Sequence, residues 1–161
     1  TIKNVITGDQ MFTEIKKLLP TDIAVCTAAV SDFKPKNFSK TKIKKNSINA
    51  HLLSLEKNQD ILEYLGKNNK NRPKFVVGFS AETENLIKNS KIKLERKFCD
   101  LIIANDVSKK NIGFNVDFNQ ISIIDKNNKI ENIKKNTKSF IATIVAKKIV
   151  DRFLINDKDI N

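Results

Sequence analysis

Asp32 is the one carboxylate in a loop otherwise crowded with lysines, and that loop follows an apolar run, Ile23 to Ala29. The stretch reads Ala28-Ala29-Val30-Ser31-Asp32-Phe33-Lys34-Pro35, then Lys42-Ile43-Lys44-Lys45. A buried strand that empties into a charged loop is where open α/β sheets place ligands. Lys93 and Lys97 stand at i and i+4, so on a helix both ammonium groups project from one face. Such a pair suits a polyphosphate, which needs several positive charges close together. Phe79, beside Gly78 near a strand end, could pack against a base or a ribose. Each feature also has a plain structural reading: a solvated loop, a basic helix face flanked by Lys88, Lys91 and Arg96, and an ordinary core ring.

The elements that must position these residues follow from periodicity. Asn4 to Thr7 reads as the end of a short strand, with Asp9 as an N-cap. Met11, Phe12, Ile15, Leu18 and Leu19 fall at helical spacing before Pro20. Asp22 to Ala29, Lys74 to Ser80 and Asp100 to Asn105 are apolar runs, the pattern of parallel strands covered on both faces. Ile48 to Glu56 alternates weakly. Helices are expected from Ile61 to Gly66, capped by Asn58 or Asp60 and stopped by Gly66, and from Glu84 to about Phe98, capped by Thr83. Gln120 to Asp125 and Lys129 to Ile133 form a hairpin through Lys126-Asn127-Asn128. Thr137 caps the last helix, striped by Phe140, Ile141, Ile144, Val145, Ile149, Phe153 and Leu154. Strand and helix alternate, so the class is α/β: a Rossmann-like, mostly parallel sheet with flanking helices and a small antiparallel hairpin in the C-terminal third. Residues 1–156 read as one α/β domain, with 157–161 a frayed tail. Right-handed crossovers put parallel strand ends on one edge, so Asp32, Phe79-Ser80 and Asn105-Asp106 should line one crevice.

Composition narrows the function. Thirty Lys+Arg against 18 Asp+Glu give a net charge of +12 and imply an anionic partner. Arg72, Arg96 and Arg152 are the only arginines, there is no Trp and one Tyr, so base readout and stacking on single strands are not favoured. No apolar run approaches the length of a membrane span, and no signal peptide is visible. The chain starts at Thr1 rather than Met, as a piece of a longer protein would. Cys26 and Cys99 lie far apart in apolar contexts and read as reduced, buried thiols of a cytoplasmic protein; pairing of a cysteine with the lone His51 is the less favoured option. No cluster of His, Cys and acids has metal-site spacing.

Taken in order, Ala28 to Asp32, Lys42 to Lys45, Val76-Val77-Gly78-Phe79-Ser80-Ala81-Glu82-Thr83 and Leu101 to Val107 closely resemble phosphopantothenoylcysteine synthetase, in bacteria the C-terminal domain of the bifunctional coenzyme A biosynthesis flavoprotein. The resemblance implies a two-step ligase. CTP activates 4′-phosphopantothenate as an acyl-cytidylate, with Mg²⁺ assisting, and cysteine attacks through its amine. It further implies that Asp32 contacts CTP, that Lys42 lies on a flap over the activated intermediate, and that Gln59-Asp60-Ile61-Leu62 is the family's segment before the second helix, with Gln59 where bacterial members carry Pro. Phe79, Lys93 and Lys97 match nucleotide-contacting positions. A homodimer is implied, and FMN only if a decarboxylase domain is fused upstream. The family's opening glycine-rich segment, with its Ser-Ser-Gly-Lys-Met-Gly run, has no counterpart here. The chain begins near the family's third strand, so this piece is expected to belong to a longer product or to lack a complete site alone. Two other readings stand beside the ligase: a non-catalytic basic α/β module binding nucleotide or nucleic acid, and a dinucleotide-binding oxidoreductase domain, against which the absence of GxGxxG counts.

Overall fold

Thr7 opens the first helix through a reciprocal cap. Its hydroxyl accepts from the Gln10 backbone N–H at 3.2 Å, and the Gln10 side chain accepts from the Thr7 N–H at 3.1 Å. Asp9, the cap suggested by the sequence, sits inside the first turn. Nor do residues 4–7 form a strand. Four residues with no sheet neighbour cannot satisfy their backbone groups as a strand, and the cap takes Thr7 instead.

The computed structural model describes residues 1–37, 39, 41, 53–67, 70–108 and 116–158. Its elements are α1 (Gly8–Lys17), β1 (Ile23–Cys26), β2 (Phe33–Pro35), β3 (Leu55–Lys57), α2 (Ile61–Lys67), β4 (Phe75–Glu82), α3 (Leu86–Arg96), β5 (Leu101–Asp106), β6 (Phe118–Asp125), β7 (Ile130–Thr137) and α4 (Lys138–Lys158). They fall into two compact units: Thr1–Leu18 with Ala28–Ile61, and Leu19–Thr27 with Leu62–Asn161.

The larger unit holds a five-stranded sheet in the order β1-β4-β5-β6-β7. β1, β4 and β5 are parallel, and the β6–β7 hairpin extends them antiparallel, as the sequence pattern implies. The two faces of β4 are built differently. Phe75 and Val77 join Leu101, Ile103, Ile121 and Ile123 against Ile141, Val145 and Ile149 of α4. The i, i+4 spacing of those three α4 residues therefore makes the buried stripe, whereas Phe140 and Leu154 lie half exposed outside it. Each such apolar side chain contributes about 1.5–3 kcal/mol by leaving water. On the other face Gly78 lets α2 approach: a β-carbon there would stand 2.6 Å from Leu62 Cδ2 and 2.8 Å from Ile102 Cδ1.

Several boundaries differ from expectation. β1 stops at Cys26, where its pairing with β4 ends at Gly78. β4 continues to Glu82 because β5 pairs with it as far as Asp106, so Phe79 and Ser80 lie within the strand rather than after it. α3 starts at Leu86 rather than Glu84, after Asn85, which adopts a left-handed conformation (φ 50°) that Asn tolerates. Gly66 does not stop α2 but lies inside it. β3 spans Leu55–Lys57, and residues 48–52 of the weakly alternating stretch lie outside the described residues. Thr137 caps α4 as expected, its hydroxyl accepting from the Phe140 N–H at 3.3 Å. α4 runs on to Lys158, into the tail expected to fray.

The smaller unit carries α1 and the antiparallel pair β2–β3. Lys34 on β2 joins them, its ammonium 2.5 Å from Asp9 and 3.6 Å from Glu56. The Asp9 hydrogen bond raises the Lys34 pKa above its ordinary value.

Candidate functional site

Asp32 is exposed and stands at the start of the β2–β3 pair. Its loop is tied down by Asn58. The Asn58 backbone N–H donates to the Asp32 carbonyl at 2.8 Å, and its side-chain amide donates to the Ser31 carbonyl at 2.7 Å. Ser31 Oγ in turn donates to the Phe33 carbonyl at 2.8 Å. The carboxylate is thus held on a fixed turn while its oxygens face water. Gln59 and Asp60 follow, both exposed, and Ile61 is buried. Lys42, with Lys44, Lys45 and His51, lies outside the described residues.

In the larger unit, α2 and the end of α3 meet at a small ionic cluster. Lys97 caps α3 and is only 5% exposed. A buried ammonium needs a counter-charge, and Glu63 on the first turn of α2 supplies it, Nζ to Oε2 2.9 Å. The other Glu63 oxygen accepts from Lys67 at 2.5 Å. Hydrogen bonds from Lys67 and then Lys97 pull the Glu63 pKa down to about 2. Leu62, one residue earlier, is buried against the sheet. Lys93 is half-buried, one turn before Lys97. The two lysines therefore differ in exposure, although their spacing put them on a common face.

Beside this cluster Asp100 organises the strand starts. One of its carboxylate oxygens accepts from Arg72 Nη2 at 2.7 Å and from the Val76 N–H at 2.8 Å. Arg72 also donates to the carbonyls of Gly66, Pro73 and Phe98. Cys99 is buried, and desolvation pushes its thiol up to about 12, which leaves it protonated and unreactive. Cys26 is half-buried, so the expectation of two buried thiols holds for Cys99 alone.

At the carboxyl ends of the paired strands, Ser80 Oγ donates to Glu82 at 2.7 Å and Asn89 donates to the other Glu82 oxygen at 3.3 Å. Asp106 accepts from Ser108 through both backbone and hydroxyl. Phe79 faces the opposite way. It lines an apolar hollow of about 470 Å³ with Val25, Ile103, Ile121, Val145 and Ile149. Among the described residues that line it, Lys138 alone is charged, so the hollow suits an apolar ring rather than phosphate groups. Among the described residues no group of three or more His, Cys, Asp or Glu could hold a metal ion, and no helix is long and apolar enough to cross a membrane.

Spacing alone does not disclose Glu63, Asn58 or Glu82. The Glu63–Lys67 i, i+4 pair is legible in sequence, but its partner Lys97 is 34 residues from Glu63.

Parallel strands crossed by helices, with polar groups gathered at the strand ends, define an α/β protein of the doubly wound kind. Residues 1–153 match the DNA/pantothenate metabolism flavoprotein C-terminal domain, and the chain belongs to that family. It is 39% identical over 129 residues to a cysteine/cysteine sulfinic acid decarboxylase from an unknown prokaryotic organism, covering 80% of this chain and 35% of that protein. It is 38% identical over 143 residues to the coenzyme A biosynthesis bifunctional protein CoaBC of Borreliella burgdorferi, covering 88% of this chain and 35% of the relative. The crystal structure of the C-terminal domain of a CoaBC protein superposes with a TM-score of 0.73 at 25% identity, over 98% of this chain and 67% of that one. The chain thus spans about a third of the length of these curated relatives.

Proposed function

We propose that this chain is the synthetase part of a coenzyme A biosynthesis enzyme, a CTP-dependent ligase that joins 4′-phosphopantothenate to cysteine. The observation that carries this reading is the family match over residues 1–153 together with CoaBC relatives. A carboxylate is a poor electrophile. In the proposed first step its oxygen attacks the α-phosphorus of CTP and pyrophosphate leaves. In the second the cysteine amine attacks the acyl carbon, CMP leaves with the bonding pair, and the amine sheds a proton. Such chemistry asks the protein for positioning and charge neutralisation. In this reading Asp32, Gln59 to Leu62, Phe79, Lys93 and Lys97 contact the nucleotide, and Lys42 covers the activated intermediate. The fixed turn under Asp32 and the held ammonium of Lys97 are features such a role requires.

Mg²⁺ is part of the reading, but the described residues provide no cluster of three or more ligands for it. Magnesium commonly binds through substrate phosphates and keeps several waters, so no step is assigned to it here. A homodimer belongs to the same proposal and is read by light scattering.

The test is pyrophosphate release by the full-length protein with 4′-phosphopantothenate, cysteine, Mg²⁺ and either CTP or ATP. CTP-dependent release that Lys42→Gln slows supports the ligase. No release with either nucleotide, alongside salt-steep binding to any oligonucleotide, favours the non-catalytic basic module instead.

A further inference from the structure

Glu63 lies immediately after the Gln59–Leu62 segment, and its carboxylate holds the ammonium of Lys97 at 2.9 Å. The Lys97 side chain is 6% exposed and that of Glu63 is 32% exposed, so the lysine end of the pair is mostly covered while the carboxylate end is more open. A charge as covered as that of Lys97 is not placed by solvent; its partner decides where the ammonium stands. Lys67 occupies the second Glu63 oxygen at 2.5 Å, which fixes the carboxylate itself. Lys67 is one helical turn from Glu63 and also lies 5.4 Å from the Phe98 ring centroid, so the carboxylate is braced from the helix side. The Lys97 backbone is fixed as well, because Gly66 one turn along α2 packs directly on its carbonyl oxygen.

We propose that Glu63 is a positioning residue for nucleotide binding: it holds the charged ammonium of Lys97 in place, and it acts on the nucleotide only through Lys97. This rests on the ligase reading above, in which Lys97 contacts CTP. Glu63 itself need not touch the ligand.

A double-mutant cycle tests this, with the CTP dissociation constant measured by calorimetry on the full-length protein, and with melting temperature recorded for every variant. Glu63→Gln keeps the shape and removes the charge. Lys97→Met removes the ammonium and suits the covered site. Each single variant is expected to weaken CTP by roughly tenfold or more, the scale of one charge-assisted hydrogen bond. The double variant should bind no more weakly than Lys97→Met alone, and Glu63→Asp should recover part of the loss. A merely structural pair would couple in melting temperature but leave the CTP constants of folded variants unchanged, and that result overturns the proposal. Additive losses in CTP affinity overturn it too, since Glu63 would then act independently of Lys97. If Glu63→Gln fails to fold, the Glu63→Asp and Lys97→Met cycle gives the same comparison. Absence of CTP binding by the wild-type protein sinks the ligase reading and this inference together, whereas CTP binding with additive losses sinks the inference alone.

Discussion

Gly66 packs so closely on the carbonyl oxygen of Lys97 that an added β-carbon would stand 1.9 Å from it. No side chain fits there, and the obstacle is backbone. Gly66→Ala must therefore push α2 away from the end of α3, and we expect it to destabilise by about 3 kcal/mol or more, the upper end of overpacking costs. Gly78→Ala meets only the methyl groups of Leu62 and Ile102, which can turn aside. Its expected cost is about 1–3 kcal/mol. Urea denaturation of the two variants checks the order, and a Gly66→Ala protein as stable as Gly78→Ala would contradict it.

Asp100 serves a guanidinium and a strand N–H at once. Asp100→Ala leaves a partly covered Arg72 and an unpaired Val76 N–H, and should cost about 3–5 kcal/mol. Asp100→Asn keeps an acceptor and should cost about half as much or less. Chemical denaturation of both variants distinguishes loss of charge from loss of the hydrogen bonds.

The acid limb of stability should carry the signature of Glu63. Its folded pKa of about 2 lies below the ordinary carboxylate value of 4.5, so the folded state binds this proton less readily than the unfolded chain. The stabilisation is therefore complete above about pH 4.5 and is lost as pH falls toward 2. Melting temperature against pH should drop across that window, and Glu63→Gln should flatten the drop. An unchanged profile in the variant would show that the carboxylate carries no such linkage.

Asn58 should matter beyond its own bonds. Asn58→Ala removes the side-chain bond to Ser31 while the backbone bond to Asp32 stays. The expected stability loss is only about 1 kcal/mol, but the turn under Asp32 loosens, so on the ligase function proposed above KM for CTP should rise several-fold while the melting temperature moves little. Steady-state kinetics beside a thermal melt separates the two effects.

Much of the larger unit was legible from residue pattern alone. The apolar runs ending at Ser80 and Asn105, the Lys126-Asn127-Asn128 turn and the Thr137 cap each depend on neighbours within a few residues, and each appears in the structure. The Asn4–Thr7 strand failed for a corresponding reason. Strand pairing is a non-local bond, and the local cap between Thr7 and Gln10 needs no partner elsewhere. Thr83 failed as a cap because pairing with β5 drew Glu82 into β4, and Asn85 then turned the chain into α3.

The sequence by itself determined the α/β class, most of the larger unit's elements and the family, because periodicity, caps and contiguous motifs are written along the chain. Only the tertiary structure decided what Gly66 is for and where Lys97 puts its charge. Gly66 read as a helix stop, since a glycine at a helix end and a glycine under another backbone look alike in one dimension. Lys93 and Lys97 read as equals, since helical spacing is blind to what packs against each turn. Burial separated them: the low dielectric around Lys97 demanded a counter-ion, and folding brought Glu63 to meet it from 34 residues away.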